Sequence, residues 1–254
     1  MLLKLGYVLA SILCLSSCTA TQPNPPPQKT QKIIKSTPKP PGPFTYLLRD
    51  LWPDPYQFVG SINYSENNKL IGTGVLIEPT LVLTAAHVPE GKEDLVWTET
   101  DGDKICIKEV IYYTEHIPGV YGFHDIAIVV LEHASDESPV ELLEPDDSVY
   151  KRMPLTTVGH GHGIKRYSNS GTFWYYGRLI SNPQFMVMLP LKASIWFGDS
   201  GGAVLTRENK LIGIMANFSV TGGLIFENAC ASVEYYKSWI EEIKNEQLLE
   251  TMDR

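Results

Sequence analysis

Three short stretches of this 254-residue sequence carry side chains that could do chemistry together. The first is Gly198-Asp199-Ser200-Gly201-Gly202, a serine among glycines between the apolar runs Trp196-Phe197 and Ala203-Val204-Leu205. Glycines permit φ > 0 and close approach of backbone to a ligand. Such a turn can aim backbone N–H groups at one point beside the hydroxyl, as an oxyanion hole requires. A serine is a useful nucleophile only when a base takes its proton. The second stretch, Thr84-Ala85-Ala86-His87, offers an imidazole directly after the apolar Leu81-Val82-Leu83. Small residues before the histidine let it lie close against neighbouring backbone. The third is His124-Asp125, at the entrance to the apolar run 126–131. A carboxylate there is costly without a hydrogen-bond partner, and an imidazole N–H is a suitable one. Each stretch alone has an ordinary alternative: a glycine-rich hairpin turn, a structural histidine at a strand end, a cap on a strand start. Together they supply a nucleophile, a base and an acid.

The elements around them read as short strands. Candidate strands fall at 57–63, 70–77, 81–83, 104–113 and 126–131, then at 155–158, 172–180, 185–189, 203–206, 211–217 and 224–226. Gly72 and Gly74 suggest a bend or bulge in the second of these. The continuous apolar run 126–131 predicts a strand buried on both faces. Many short strands with Gly, Pro and Asn turns, and no alternating helices, point to an all-β barrel or sandwich. One helix is expected, from about 233 to 249, with Trp239, Ile240, Ile243 and Leu248 on its apolar face.

With the order His87, Asp125, Ser200, the chain resembles the trypsin/chymotrypsin-like serine proteases, over roughly 56–240. The segments TAAH, HDIAIVVL and GDSGG are similar to that family's histidine, aspartate and serine motifs. The resemblance implies two six-stranded antiparallel β-barrels with a C-terminal helix. The first barrel is then expected at about 44–140 and the second at about 150–232. It also implies a mechanism of acyl transfer: Ser200 attacks a carbonyl, His87 is general base and then acid, and Asp125 orients the imidazole. The N–H groups of Gly198 and Ser200 would form the oxyanion hole. The substrate pocket would draw on Ser194, Ala216, Asn217 and Phe218. Ser194 stands where trypsin-like members that select basic residues carry an aspartate, so a preference for Arg or Lys is not expected. A small or apolar residue before the cleaved bond is.

The chain departs from the animal members in two ways. No Ile-Val-Gly-Gly-like start is visible to pair with Asp199, so an enzyme active without processing, or another partner for Asp199, is expected. Two cysteines, Cys106 and Cys230, cannot supply the disulfides of those relatives. They are left as a pair or as two free thiols. The overall pattern is closer to compact bacterial proteases of the glutamyl-endopeptidase or high-temperature-requirement type. Gly159-His160-Gly161-His162-Gly163 invites a metal reading, but its two histidines have no third ligand nearby in sequence, and a glycine-rich turn of the family accounts for it. No metal and no cofactor are expected.

The N-terminus is a separate matter. Lys4 and the apolar run 5–15 have the length of a signal-peptide core, too short to span a bilayer. The run ends in Leu15-Ser16-Ser17-Cys18, which resembles the bacterial lipobox. Residues 1–17 are therefore expected to be a lipoprotein signal peptide and Cys18 the lipidated residue, a firm membrane anchor because it carries several acyl chains. Residues 18–43 are rich in proline and polar residues and read as an extended linker, with the protease domain at 44–254. A net charge of −8 with no basic patch argues against nucleic acid as a partner. The expected partners are a protein or peptide substrate and, through Cys18, the membrane of a bacterial envelope.

Overall fold

In the computed structural model, residues 54–252 are described, apart from 120–123, 145, 146, 148, 164, 177–184, 191–196, 222 and 223. They belong to one unit, Pro38–Arg254. Cys18 and Ser194 lie outside the described residues, as do the signal-peptide and linker segments.

Six strands close the first barrel: β1 (Val59–Tyr64), β2 (Leu70–Glu78), β3 (Leu81–Thr84), β4 (Leu95–Thr98), β5 (Lys104–Tyr112) and β6 (Ala127–Leu131), in the order β1-β2-β3-β6-β5-β4. The second repeats the plan with β7 (Pro154–Gly159), β8 (Arg166–Tyr176), β9 (Phe185–Pro190), β10 (Ala203–Leu205), β11 (Leu211–Thr221) and β12 (Leu224–Ser232), in the order β10-β11-β12-β9-β8-β7. All pairings between these strands are antiparallel, and β4 returns to β1 as β7 returns to β10, so neither sheet has a free edge. Strand β6 is buried at every position, as its unbroken apolar sequence requires.

The bulge expected of β2 falls at Gly72, and both glycines have a second cause. Gly74 pairs with Gly60 and Gly72 with Ile62, and the register shifts directly before Gly72, where Ile71 is the extra residue between Leu70 and Gly72. A Cβ on Gly74 would meet Val82 at 2.4 Å and Trp97 at 2.9 Å, and one on Gly72 would meet Val88 at 2.6 Å. They are glycines because neighbouring side chains fill the space above them. A second register shift in β2 falls between Leu76 and Glu78. Trp97, fully buried on β4, is the large side chain that demands this room.

The core runs across both barrels. Val75, Leu83, Trp97 and Ile128 of the first form one continuous cluster with Val158, Leu205 and Ile214 of the second. Tyr236, Trp239, Ile240 and Ile243 of helix α1 (Val233–Met252) join the same cluster. Each fully buried aliphatic side chain here contributes roughly 1.5–3 kcal/mol. This shared core fixes the two barrels against each other. Leu248, expected on the apolar face of α1, is 60% exposed. Eight positions past Ile240 is about 80° round the helix at 3.6 residues per turn, and that drift carries it off the buried stripe. Cys106 is exposed on β5 and Cys230 buried on β12, and both are free thiols.

Candidate active site

Strand register brings His87 and Asp125 together. Strand β3 lies beside β6 with Leu83 opposite Ile128 and Thr84 opposite Ala127. Continuing that register by two residues puts Asp125 beside the turn that carries His87. The turn runs through the core, with Ala85 and Ala86 fully buried, so only small side chains fit before the histidine. Asp125 is 2% exposed and His87 21% by side chain. The backbone N–H of His87 donates to Asp125 Oδ1 at 2.9 Å, and His87 Nδ1 lies 2.7 Å from Asp125 Oδ2. A carboxylate can only accept, so Nδ1 carries the proton and the neutral ring presents Nε2 as its acceptor. Lys92 Nζ donates to the carbonyl of His87 at 3.0 Å and pins the turn from behind.

His124, directly before Asp125, is fixed by contacts that were not legible in the sequence. Its φ is +45°, a left-handed conformation that a non-glycine residue keeps only when its surroundings impose it. Its ring lies on Tyr113 with centroids 4.8 Å apart. Its Nδ1 is 3.1 Å from Tyr236 Oη on α1, and its Nε2 is 2.9 Å from Glu115 Oε2. Burial lowers the His124 pKa, Glu115 opposes that shift, and His116 adds to it.

Ser200 sits on a turn that only glycines could build. Gly198 and Gly201 have φ of +97° and +86°. A Cβ on Gly201 would lie 2.0 Å from the Thr73 carbonyl oxygen and 2.2 Å from Thr84 Oγ1, three residues before His87. The serine turn is thus wedged against the strands that carry the histidine. A Cβ on Gly72 would meet both Val88, next to His87, and the Ser200 carbonyl oxygen at 3.1 Å. The Ser200 carbonyl accepts from the Thr73 N–H at 2.8 Å, the Asp199 carbonyl from the Gly202 N–H at 2.9 Å, and Gly201 N–H donates to Met215 at 2.7 Å. Among the described residues, the N–H groups of Gly198 and Ser200 have no protein acceptor.

Asp199 is 5% exposed, and the Gly161 N–H donates to its Oδ1 at 2.6 Å. A Cβ on Gly159 would meet that same oxygen at 2.6 Å. The Gly-His-Gly-His-Gly segment, the end of β7 leading through His160 into the 3₁₀ helix Gly161–Gly163, is therefore the cradle of the Asp199 carboxylate. His160 within it is partly buried, and its ring Nδ1 is enclosed with no partner among the described residues. Burial, and then the nearby Lys165 charge, push its pKa down to about 4, against an opposing pull from Asp54. Lys165 itself donates to Tyr56 O and Thr100 Oγ1 at 2.6 Å and pairs with Asp54 at 2.6 Å, tying this loop to the first barrel.

Of the residues expected to shape the pocket, Ala216 is buried on β11. Asn217 and Phe218 follow it on the same strand, opposite Ala229 and Asn228. Phe197, directly before the serine turn, is 74% exposed.

The trypsin-like peptidase domain family matches residues 72–214, which hold all three motifs. A protein of Halomonas elongata described as "probable periplasmic serine endoprotease DegP-like" is 21% identical over 189 residues, covering 74% of this chain and 38% of the relative. The peroxisomal leader peptide-processing protease of Mus musculus is 27% identical over 173 residues, 67% of this chain and 29% of that protein. The chain thus spans well under half the length of these curated relatives. Among solved structures, the scabies mite inactivated protease paralogue S-I1 superposes with a TM-score of 0.62 at 18% identity, covering 75% of this chain and 96% of that one. Human heparin binding protein gives the same TM-score at 15% identity, covering 75% and 92%. These two likenesses speak for the fold alone. With the two closed barrels in place and the family match running through more than half of the sequence, the chain belongs to the trypsin-like peptidase domain family.

Proposed function

We propose that this protein is a serine endopeptidase of the bacterial envelope, working by a His87–Asp125–Ser200 triad. Family membership supports peptide or protein substrates. The observation that carries the reading is the double engagement of Asp125 by His87, at 2.9 and 2.7 Å, beside a serine on a glycine-built turn. Ser200 Oγ attacks the carbonyl carbon of the scissile bond, and His87 Nε2 takes its proton. The N–H groups of Gly198 and Ser200 stabilise the oxyanion. His87 then gives the proton to the leaving amine, and water hydrolyses the acyl-enzyme by the same steps in reverse order. Asp125 keeps the ring in the right tautomer and stabilises its charged form. Ser194, Ala216, Asn217 and Phe218 frame a pocket for a small or apolar side chain.

The domain of residues 44–254 acts at a membrane surface, held there through lipidated Cys18 and the linker of residues 18–43 after removal of residues 1–17. The likeness to the Halomonas protein, described as periplasmic, supports an envelope location. Replacing Cys18 by Ala releases the protein into the soluble fraction; unchanged membrane association would contradict the anchor. A fluorophosphonate probe, applied to the full chain in detergent, tests the nucleophile: it labels the wild type and not Ser200→Ala. A peptide library against a panel of simple esters separates peptidase from esterase. No labelling of either protein would favour a protease-fold binding module.

A further inference from the structure

Thr73 is fully buried on β2 of the first barrel, yet three of its bonds go to the loops of the second. Its N–H donates to the Ser200 carbonyl at 2.8 Å, a bond that any residue but proline could make. Its hydroxyl does more. It donates to the Gly198 carbonyl at 2.6 Å and accepts from the His160 N–H at 3.0 Å. Its own carbonyl accepts from Thr84 Oγ1 at 2.7 Å, which ties the bracket to the strand leading to His87.

These bonds close a ring. The hydroxyl joins Gly198 to His160, and the Gly161 N–H joins the next residue of that loop to Asp199, the residue after Gly198. Gly198 has φ +97° and no side chain, so nothing of its own prevents the Gly198–Asp199 peptide from turning over. A hydroxyl is suited to this position because it can donate to one loop and accept from the other at once.

We infer that the Thr73 hydroxyl is a positioning group for the oxyanion hole: by anchoring the Gly198 carbonyl it fixes the Gly198–Asp199 peptide, the link between the two peptides that carry the Gly198 and Ser200 N–H groups, and so sets the direction of both. The inference rests on the serine peptidase reading above. It assigns to barrel one a part in setting the shape of a site built on barrel two.

The test uses Thr73→Val, which keeps the shape and removes the hydroxyl, Thr73→Ala in case the valine variant does not fold, and Thr73→Ser, which keeps the hydroxyl. Loss of a single oxyanion donor costs about 10²–10³ in kcat, and a displaced one costs a share of that. Thr73→Val or Thr73→Ala therefore lowers kcat about 10- to 100-fold with KM within about threefold, and weakens a peptide boronate inhibitor by a similar factor. Thr73→Ser restores both to within about threefold. Equal kcat for the hydroxyl-free variants, or a change in KM alone, would overturn the inference. A wild-type protein with no turnover and no fluorophosphonate labelling would instead refute the peptidase reading. Crystal structures then decide the inference separately. Gly198 and Ser200 N–H groups that are redirected in Thr73→Val and not in Thr73→Ser support it; N–H groups unchanged in both, or redirected in both, contradict it.

Discussion

Both carboxylate oxygens of Asp125 are engaged by His87, Oδ1 by the backbone N–H and Oδ2 by the ring Nδ1. The first bond fixes the carboxylate relative to the backbone of the histidine turn. The second fixes the ring relative to the carboxylate. An Asp125→Asn substitution leaves the first bond possible and turns the second into a contact that an amide donor would make. The ring then takes the other tautomer, with its acceptor pointing the wrong way. The expected result is a fall in kcat of about 10⁴-fold at neutral pH with KM little changed. Steady-state kinetics on a chromogenic peptide would check it; a fall under tenfold would speak against the assigned role.

Gly159 tests the cradle under Asp199. A methyl group there meets Asp199 Oδ1 at 2.6 Å and the Asp199 Cα at 3.2 Å, so the carboxylate has to move. Gly159→Ala should lower activity at least tenfold, and stability by about 1–3 kcal/mol, the range for overpacking a tight site. Urea unfolding and kinetics on the same preparation measure both. A similar methyl on Gly163, which has open space around it but φ +76°, should cost stability through backbone strain while leaving Asp199 in place.

His160 gives the protein an acid-sensitive point. Its pKa is pushed down to about 4 in the fold, against about 6.5 for an unhindered histidine. Above pH 6.5 both folded and unfolded states are neutral there, and stability is unaffected. As pH falls from 6.5 towards 4, the unfolded chain binds a proton that the folded one does not, so stability declines. The loss approaches about 3 kcal/mol near pH 4, on the order expected for this difference in proton affinity. His160→Phe removes this part of the acid sensitivity. Comparing urea midpoints of the two proteins at pH 7 and pH 4.5 isolates it from the other titrating groups. Parallel declines in both proteins would contradict the assignment.

What could be read from the sequence was whatever depended on neighbours along the chain. TAAH, HDIAIVVL and GDSGG are local patterns, and apolar runs such as 126–131 show their burial directly. The two-barrel fold followed from the family those motifs resemble. Contacts between distant segments left no local mark. β4 was missed because Leu95–Thr98 is too short to show a period, although Trp97 fills the barrel it belongs to. The second reason for Gly72 and Gly74 was not legible, because the side chains above them come from β3, β4 and the turn after His87. The Gly-His-Gly-His-Gly segment was recognised as a turn, but its task of holding Asp199 depends on a loop 38 residues away. Thr73 and His124 carry no signal in their own neighbourhoods, since the Thr73 hydroxyl bonds to the opposite barrel and the His124 ring reaches Tyr236 on α1.

The most direct measurement is covalent labelling of Ser200. The full chain, incubated with a fluorophosphonate probe and digested for mass spectrometry, should carry one adduct, on the peptide containing Ser200. Ser200→Ala should carry none, His87→Ala should label far more slowly, and all three proteins should unfold at similar urea concentrations. Absence of labelling in a folded wild-type protein, or an adduct that persists in Ser200→Ala, would contradict the account.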